Sequence, residues 1–355
     1  MRQKLGMAAF VLLLVAVWGL GFLWVRGDLD RSPAKAAAGT ARPSASASPS
    51  ASPSAVAEPS AAAYTGTINR LDESRPVEIN PVPARPRPVA LPPVLKFTVA
   101  SFNVLGSSHT KGRGGKASGL QRLPGAISLL NTHGISVVGF QEFQGDQRHS
   151  FARRAPGWAI YPGDALGNLA GENSIGWRKD TWEMVKPGSV PIPYFNGGVR
   201  QMPSVLLRNK QTGIQAYFSN FHNPAETRQF HNQGRFRAAA TSREIALFNQ
   251  LERTGIPQFV TGDMNERASW FCRVTGSTPL IAAAGGSNNG GCAPPKPTQI
   301  DWILGSRNVQ FSGYTIDRSP LVRRTTDHPI VVSQVTIDAL KFENAYQPEA
   351  TTPGQ

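Results

Sequence analysis

Cysteine, charge and above all acidic residues are scarce in this chain. Two cysteines among 355 residues exclude a disulfide-dense scaffold and a four-cysteine zinc site. Only 17% of the residues are charged, below the roughly 25% usual for soluble domains, so part of the chain is not ordinary globular sequence. Acids are the scarcer sign, 23 Asp+Glu against 37 Lys+Arg, for a formal net charge of +14. That balance favours polyanions or anionic surfaces as partners, although charge governs association and not fold. No internal repeat is found. Core-forming residues are plentiful: 40% of the chain is hydrophobic, with 17 Phe and 7 Trp, which excludes a wholly disordered protein. Length alone suggests two domains or one large one.

The charge deficit has a local origin. Residues 5–25, LGMAAFVLLLVAVWGLGFLWV, carry no charge and lie between Arg2/Lys4 and Arg26. As a helix this run spans about 31 Å, enough to cross a bilayer core of about 30 Å. Trp18 and Trp24 lie toward its outer end, where interfacial aromatics are expected. A retained transmembrane anchor over 1–26 is the first reading. A cleaved signal peptide is the alternative, since Ala34-Lys35-Ala36 offers a small-x-small site. Residues 27–94 follow with tracts such as ARPSASASPSASPSAVAEPSAAA and PVPARPRPVALPP. These lack an apolar period and cannot repay the entropy of folding, so they read as a disordered Ala/Ser/Pro linker of about 45 Å mean span. Such a stalk favours a cell-membrane protein with the rest of the chain outside, or a secreted one if the N-terminus is removed.

The globular part is expected over 95–338, with 339–355 as a tail. Residues 95–104, 135–143, 257–263, 299–305, 309–316 and 329–337 read as strands. Residues 120–132 and 234–253 read as helices, the second with Ile245, Phe248 and Leu251 at spacing three. Residues 173–185 and 204–221 read as hairpins, the second turning near 209–213. Strands with few helices among them imply packed sheets flanked by helices rather than a doubly wound parallel sheet.

Polar residues cluster where these strands end. Asn103 follows FTVASF, Glu142 follows VVGFQ, and Asn220 and His222 follow AYFS. Asp263 and Asn265 follow QFVTG, Asp301 lies within QIDWIL, and Asp327-His328 precedes the last strand. Singly, most are ordinary turn or cap residues. Glu142 is not, because a carboxylate ending an apolar strand has no structural excuse. If the ends share one edge they form a polar cleft, and gathered carboxylates need a cation to offset repulsion and desolvation. Oxygen donors without a cysteine cluster point to Mg²⁺, with Mn²⁺ or Ca²⁺ as alternatives.

This set of motifs resembles the endonuclease/exonuclease/phosphatase superfamily, which includes deoxyribonuclease-type endonucleases, neutral sphingomyelinases and inositol-polyphosphate 5-phosphatases. Six pieces carry the resemblance, in order: Ser101-Phe102-Asn103, Gln141-Glu142, Asn220-Phe221-His222, Gly262-Asp263-Met264-Asn265, Ile300-Asp301-Trp302 and Thr326-Asp327-His328-Pro329. The resemblance implies an α/β fold, a four-layer α/β/β/α sandwich of two packed mixed sheets flanked by helices. It implies Glu142 as principal Mg²⁺ ligand with Asn103 and Asp327 beside it. His328 would be the general base, oriented by Asp301. Asp263 and Asn265 would position water and phosphate, and His222 would donate to a phosphate oxygen or the leaving group. One departure is Asn223-Pro224-Ala225 after His222, where many members continue with an apolar residue. Glu172-Asn173 sits where another polar site residue is often placed, and Asn173 joins the substrate-binding candidates.

Other features bear on compartment and substrate. Cys272 and Cys292 enclose AAAGGSNNGG, and a bridge there would remove on the order of 3 kcal/mol of unfolded-state entropy. That pairing suits an oxidising compartment; two free thiols are the alternative. Beyond Leu95 the chain carries 27 basic and 17 acidic residues, or +10. Arg235, Arg237, Arg243, Arg323 and Arg324 lie near the proposed cleft in sequence, as phosphate-backbone binding requires. Tyr194, Phe195 and Trp270 are available for base stacking. The basic Gly-rich segment 111–116 reads as a flexible substrate-contacting loop. His109, His133, His149 and His231 lack such companions and read as surface residues. The expected function is a monomeric, extracytoplasmic, metal-dependent phosphodiester hydrolase, first an endonuclease on DNA or RNA. The alternatives are a sphingomyelinase- or phosphoinositide-type phosphoesterase, or a non-catalytic cell-surface binding module.

Overall fold

The computed structural model describes residues 93–110 and 115–346. The expected anchor, nearly all of the expected linker, residues 111–114 of the basic loop and residues 347–355 of the tail lie outside the described residues. Among the described residues no helix is long and apolar enough to cross a membrane.

Strand β1 (Val94–Asn103) shows how the layers arise. Side chains alternate across a strand, so Leu95, Phe97 and Val99 enter one apolar cluster and Ala100 and Phe102 another. The first cluster fills the space between two sheets. Its aromatic centre is Phe97, edge-on to Trp182, Phe218 and Phe259 with centroids 5.2–5.9 Å apart. The second cluster joins β1 to helix α1 (Gly119–Thr132), helix α2 (Gly145–Arg154) and Val322 of helix α6 (Pro320–Thr325). On the far side, helix α4 (Gly234–Glu252) and helix α5 (Ala268–Ser277) cover the second sheet through Phe248, Trp270, Phe271 and Trp302. Both sheets are therefore buried on two faces, and the order of layers is α/β/β/α.

The first sheet runs β12 (Gln310–Asp317), β13 (Ile330–Asp338), β1, β2 (Val137–Gln141), β4 (Ile175–Arg178) and β3 (Trp158–Tyr161). The second runs β10 (Ile281–Ala282), β11 (Asp301–Gly305), β9 (Gln258–Asp263), β8 (Gln215–His222), β7 (Val199–Asn209) and β5 (Trp182–Lys186), with β6 (Ser189–Pro193) pairing β7. The expected hairpin over 204–221 is present, and Gly213 at φ +73° supplies the left-handed residue that turn requires. The expected hairpin over 173–185 is not. Strand β4 pairs β2 and β3, whereas β5 pairs β7 in the other sheet. Trp177 and Trp182 both enter the inter-sheet core, so this segment carries the chain from one sheet to the other.

Two polar devices hold the layers in register. Asn220 of β8 is fully buried and spans both sheets: Nδ2 donates to the Phe140 and Asn173 carbonyls, while Oδ1 accepts from Gln141 and Thr261. Gly139 lies against that amide; a Cβ there would fall 2.3 Å from Asn220 Oδ1 and 1.9 Å from Thr261 Oγ1. Arg122 of α1 is also buried and donates to the carbonyls of Val104, Leu105, Ala117 and Thr325. It ties the end of β1 to the end of α6.

Candidate active site

Topology explains why polar residues scattered over 225 positions meet. Strands β1 and β2 are parallel, with Asn103 opposite Gln141, and β8 and β9 are parallel, with His222 opposite Asp263. All four end at one edge of the sandwich. Strand β11 runs antiparallel to β9, so its first residue, Asp301, sits opposite Asp263. Strand β13 runs antiparallel to β1, with Val331 opposite Ser101, so the preceding Asp327-His328 also falls at that edge. Thr326 Oγ1 donates to the Asn103 carbonyl at 2.7 Å and fastens the two loops together.

Asn103 is the centre of the acidic side. It is fully buried, and its Nδ2 donates to Glu142 Oε1 at 3.0 Å and to Asp263 Oδ2 at 3.2 Å. Glu142 adopts φ +58°, a left-handed backbone that costs a residue with Cβ on the order of 1–2 kcal/mol. Such strain at a strand end persists where surrounding bonds over-determine it. Here they do: Oε2 accepts from the Gly106 amide at 3.0 Å and pairs with His109 Nδ1 at 2.7 Å. Burial pushes this carboxyl up, but the His109 bond, the His222 and His109 charges and the Gly106 amide outweigh it and hold it below the usual range.

The other side is a carboxylate–imidazole cluster. His328 Nδ1 lies 3.0 and 3.1 Å from the two Asp301 oxygens, and its Nε2 lies 3.6 Å from Asp263 Oδ2. Burial lowers this imidazole, yet the Asp301 bond and the charges of Asp301, Asp263 and Asp327 push it up to about 10. Asp263 is pushed up to about 6 by burial and by the neighbouring Asp301 charge. Its Oδ1 accepts the Asn265 amide at 3.0 Å, and Asn265 Nδ2 donates to the Asn223 carbonyl. His222 Nε2 is 3.7 Å from Asp263 Oδ2 and its Nδ1 is 3.4 Å from the Tyr194 hydroxyl. Burial draws its pKa down, which keeps a neutral imidazole able to donate from one nitrogen.

The structure thus brings Asn103, Glu142, His222, Asp263, Asn265, Asp301 and His328 to one edge, with Asp327 exposed at its rim. Asn173 is fully buried, and neither end of its amide has a protein partner. Arg237 is engaged by the protein itself. It is nearly buried, donates to the Pro224 carbonyl at 2.9 Å and pairs with Glu226 and Glu266 at 3.3 and 3.6 Å, so it braces the loop after His222. Arg235 is exposed and lies over its neighbour Phe236 at 4.6 Å. Trp270 is core, fully buried with its indole N–H on Glu244. Cys272 and Cys292 are disulfide-bonded.

Two members of the site, His109 and Arg200, carry no sequence signal. His109 was expected to be a lone surface residue, yet it caps Glu142; His133 and His149 likewise pair with Asp317 and Asp164. Arg200 lies 3.9 Å over the Tyr194 ring and 3.0 Å from Glu172, placing a cation and an acid beside His222. None of these has a sequence signal beyond residue type, since each acts through a partner distant in the chain.

The donors suit a hard divalent cation. Asp263, Asp301 and His328 each offer an atom, all within 4.8 Å of one another, and no cysteine is among them. Two buried carboxylates in contact are costly without a compensating positive charge. Carboxylate-rich sites with water access suit Mg²⁺ or Mn²⁺.

Residues 100–328, well over half of the chain, match the model of the Endonuclease/Exonuclease/phosphatase family. An endonuclease/exonuclease/phosphatase family protein from Bacteroides thetaiotaomicron superposes with TM-score 0.55 at 18% identity, over 69% of this chain and 99% of that one. The mannosyl-6-phosphatase of Bacteroides thetaiotaomicron superposes with TM-score 0.51 at 18% identity, over 67% and 99%. D. rerio TDP2 complexed with single strand DNA product gives TM-score 0.50 at 16% identity, over 68% and 99%. No curated protein sequence matches the chain. With the family match covering both ends of the strand-edge constellation, the chain belongs to the endonuclease/exonuclease/phosphatase family, whose members are hydrolases acting on phosphoester bonds.

Proposed function

We propose that this protein is an extracytoplasmic, Mg²⁺-dependent phosphodiesterase that acts as an endonuclease on DNA or RNA. The observation that carries the proposal is the convergence of Asn103, Glu142, His222, Asp263, Asn265, Asp301 and His328 at one sheet edge. When bound, a divalent cation would neutralise charge on the phosphate; Glu142, Asn103 and Asp327 would hold it, beside the Asp263–Asp301–His328 cluster to which Asn103 links Glu142. Asp301 fixes the His328 ring through Nδ1, which turns Nε2 toward Asp263. In the Asp263–His328 pair, Asp301 holds His328 as the imidazolium, so Asp263, ionised above about pH 6, takes the proton of the attacking water, and the Asn265 amide fixes the Asp263 carboxylate for that step. His222, neutral and buried, donates to the phosphate or the leaving oxygen.

A polyanion is supported by a cavity of about 440 Å³ bounded by Lys116, Arg318, Arg323, Asp327 and His328. Its three cations sit beside His328, where adjacent backbone phosphates would lie. The TDP2 structure with single strand DNA product makes nucleic acid a reasonable first substrate for a chain of this fold. The apolar run at 5–25 and the paired cysteines support an extracytoplasmic, membrane-tethered placement.

The test is hydrolysis of plasmid DNA, RNA and sphingomyelin by the purified protein with Mg²⁺ and with EDTA. EDTA should abolish turnover, and His328→Ala should lower it roughly 10²–10⁴-fold, the range of a positioned acid–base group. Identical rates for wild type and His328→Ala would sink the enzyme reading; sphingomyelin turnover alone would sink the nuclease.

A further inference from the structure

A second cavity, of about 480 Å³, opens on the opposite set of site residues and shares no lining residue with the cationic one. Glu142 and His222 form its inner end. Tyr194, Phe195, Phe230 and Leu169 form its apolar walls, and Arg200 and Glu172 lie within it. The Phe195 and Phe230 rings are parallel, centroids 4.3 Å apart and planes 6° apart. Leu169, in the short helix α3 (Asn168–Gly171), is 62% exposed at the rim.

This wall is built rather than incidental. Phe195 lies in the turn between β6 and β7, and Phe230 in the loop between β8 and α4. Gln233, fully buried, clamps the two: its Oε1 accepts the Asn196 amide at 3.0 Å and its Nε2 donates to Asn196 Oδ1 at 3.1 Å and to the His231 carbonyl at 2.7 Å. Its own backbone N–H donates to Glu226 at 2.8 Å, and Thr227 and Phe230 bond to each other across the loop. Asn196 takes φ +53° to make the turn, which an Asn tolerates.

We propose that this cleft receives one unpaired nucleobase adjoining the scissile phosphodiester, so that the protein cuts single-stranded nucleic acid in preference to duplex. The proposal rests on the nuclease reading above and specifies its substrate. A planar heterocycle matches a flat aromatic wall, and its polar edges match the Arg200–Glu172 pair at the cleft. An acyl chain needs a long, uniformly apolar channel; this one contains the Arg200–Glu172 ion pair and ends on Glu142 and His222. A base stacked within a duplex cannot enter a cavity without leaving its stack, at a cost of a few kcal/mol. Aromatic stacking of a free base contributes about 1–3 kcal/mol.

The test compares a 12-nucleotide single strand, the same strand carrying an abasic spacer next to the cleaved bond, and the duplex. Wild type should prefer the intact strand in kcat/KM. Phe230→Ala should lower the ratio of intact over abasic strand by roughly 5–150-fold, the equivalent of 1–3 kcal/mol, and Phe230→Trp should restore it. A binding readout needs neither metal nor turnover: in EDTA, a strand bearing 2-aminopurine at that position should lose fluorescence on stacking against His328→Ala protein but not against His328→Ala/Phe230→Ala. Thermal unfolding of each variant separates lost stacking from lost folding. If wild type cleaves nucleic acid but accepts intact strand, abasic strand and duplex alike, and Phe230→Ala changes nothing, the subsite is refuted while the nuclease stands. No cleavage and no quenching of any nucleic acid overturns both.

Discussion

Glu244 carries a prediction that depends on neither metal nor substrate. It sits on the buried face of α4 with Ala240, Thr241, Phe248 and Leu251. Oε2 accepts the Trp270 indole N–H at 2.7 Å, while Oε1 has no protein partner. Burial pushes this carboxyl from 4.5 up to about 7. The folded state then keeps a proton between pH 4.5 and 7 that the unfolded chain has released, so stability falls as pH rises through that window. At about 1.4 kcal/mol per pH unit the loss is roughly 3 kcal/mol. Glu244→Gln keeps an acceptor for Trp270 and cannot ionise. Its stability should therefore gain on wild type by roughly 3 kcal/mol between pH 4.5 and pH 8. For a domain of this size that is roughly 6–12 °C in Tm. The measurement is thermal or urea unfolding of both proteins across that range; groups common to the two cancel in the difference. A Tm gap that stays constant from pH 4.5 to pH 8 would refute the assignment of a buried, proton-holding carboxyl.

Two further perturbations follow from the packing. Arg122→Met deprives four carbonyls, three of them in buried bonds, of their donor, and at about 1.5–3 kcal/mol per charge-assisted bond, with partial relaxation, unfolding should become easier by roughly 3–5 kcal/mol; urea midpoints read this, and an unchanged midpoint contradicts it. Replacing Cys272 and Cys292 together by Ser opens a loop spanning a separation of 20 residues and should cost about 3 kcal/mol, with the same loss seen for wild type under reductant.

Strand-end polarity was legible because it breaks a strong local rule. An apolar strand that ends in Glu142 or Asp263 advertises those residues through period and burial alone. The apolar alternation of β1 and the turn of β7–β8 were equally readable, because both are short-range. Helices α2 and α5 were not, since each has only ten residues, too few turns for an apolar period to stand out, and α2 has few apolar residues besides. The hairpin expected over 173–185 failed for a different reason. Alternation says which faces are buried, but the same pattern serves a strand that pairs with its neighbour and one that crosses to another sheet.

By itself the sequence determined which side chains must be inside, which strand ends carry acids, amides and imidazoles, and that one hydrolase-like domain follows 94 residues of different composition. Tertiary structure alone decided which of the polar residues share a site. The starts of β11 and β13 lie beside the ends of β9 and β1 only because those pairs are antiparallel, and strand pairing is a long-range choice that no local period encodes. The same choice drew His109 and Arg200 into the cleft, turned Arg237 into a brace and Trp270 into core, and set Phe195 against Phe230. Each of those roles is made by a partner remote in the chain, so residue type alone cannot announce it.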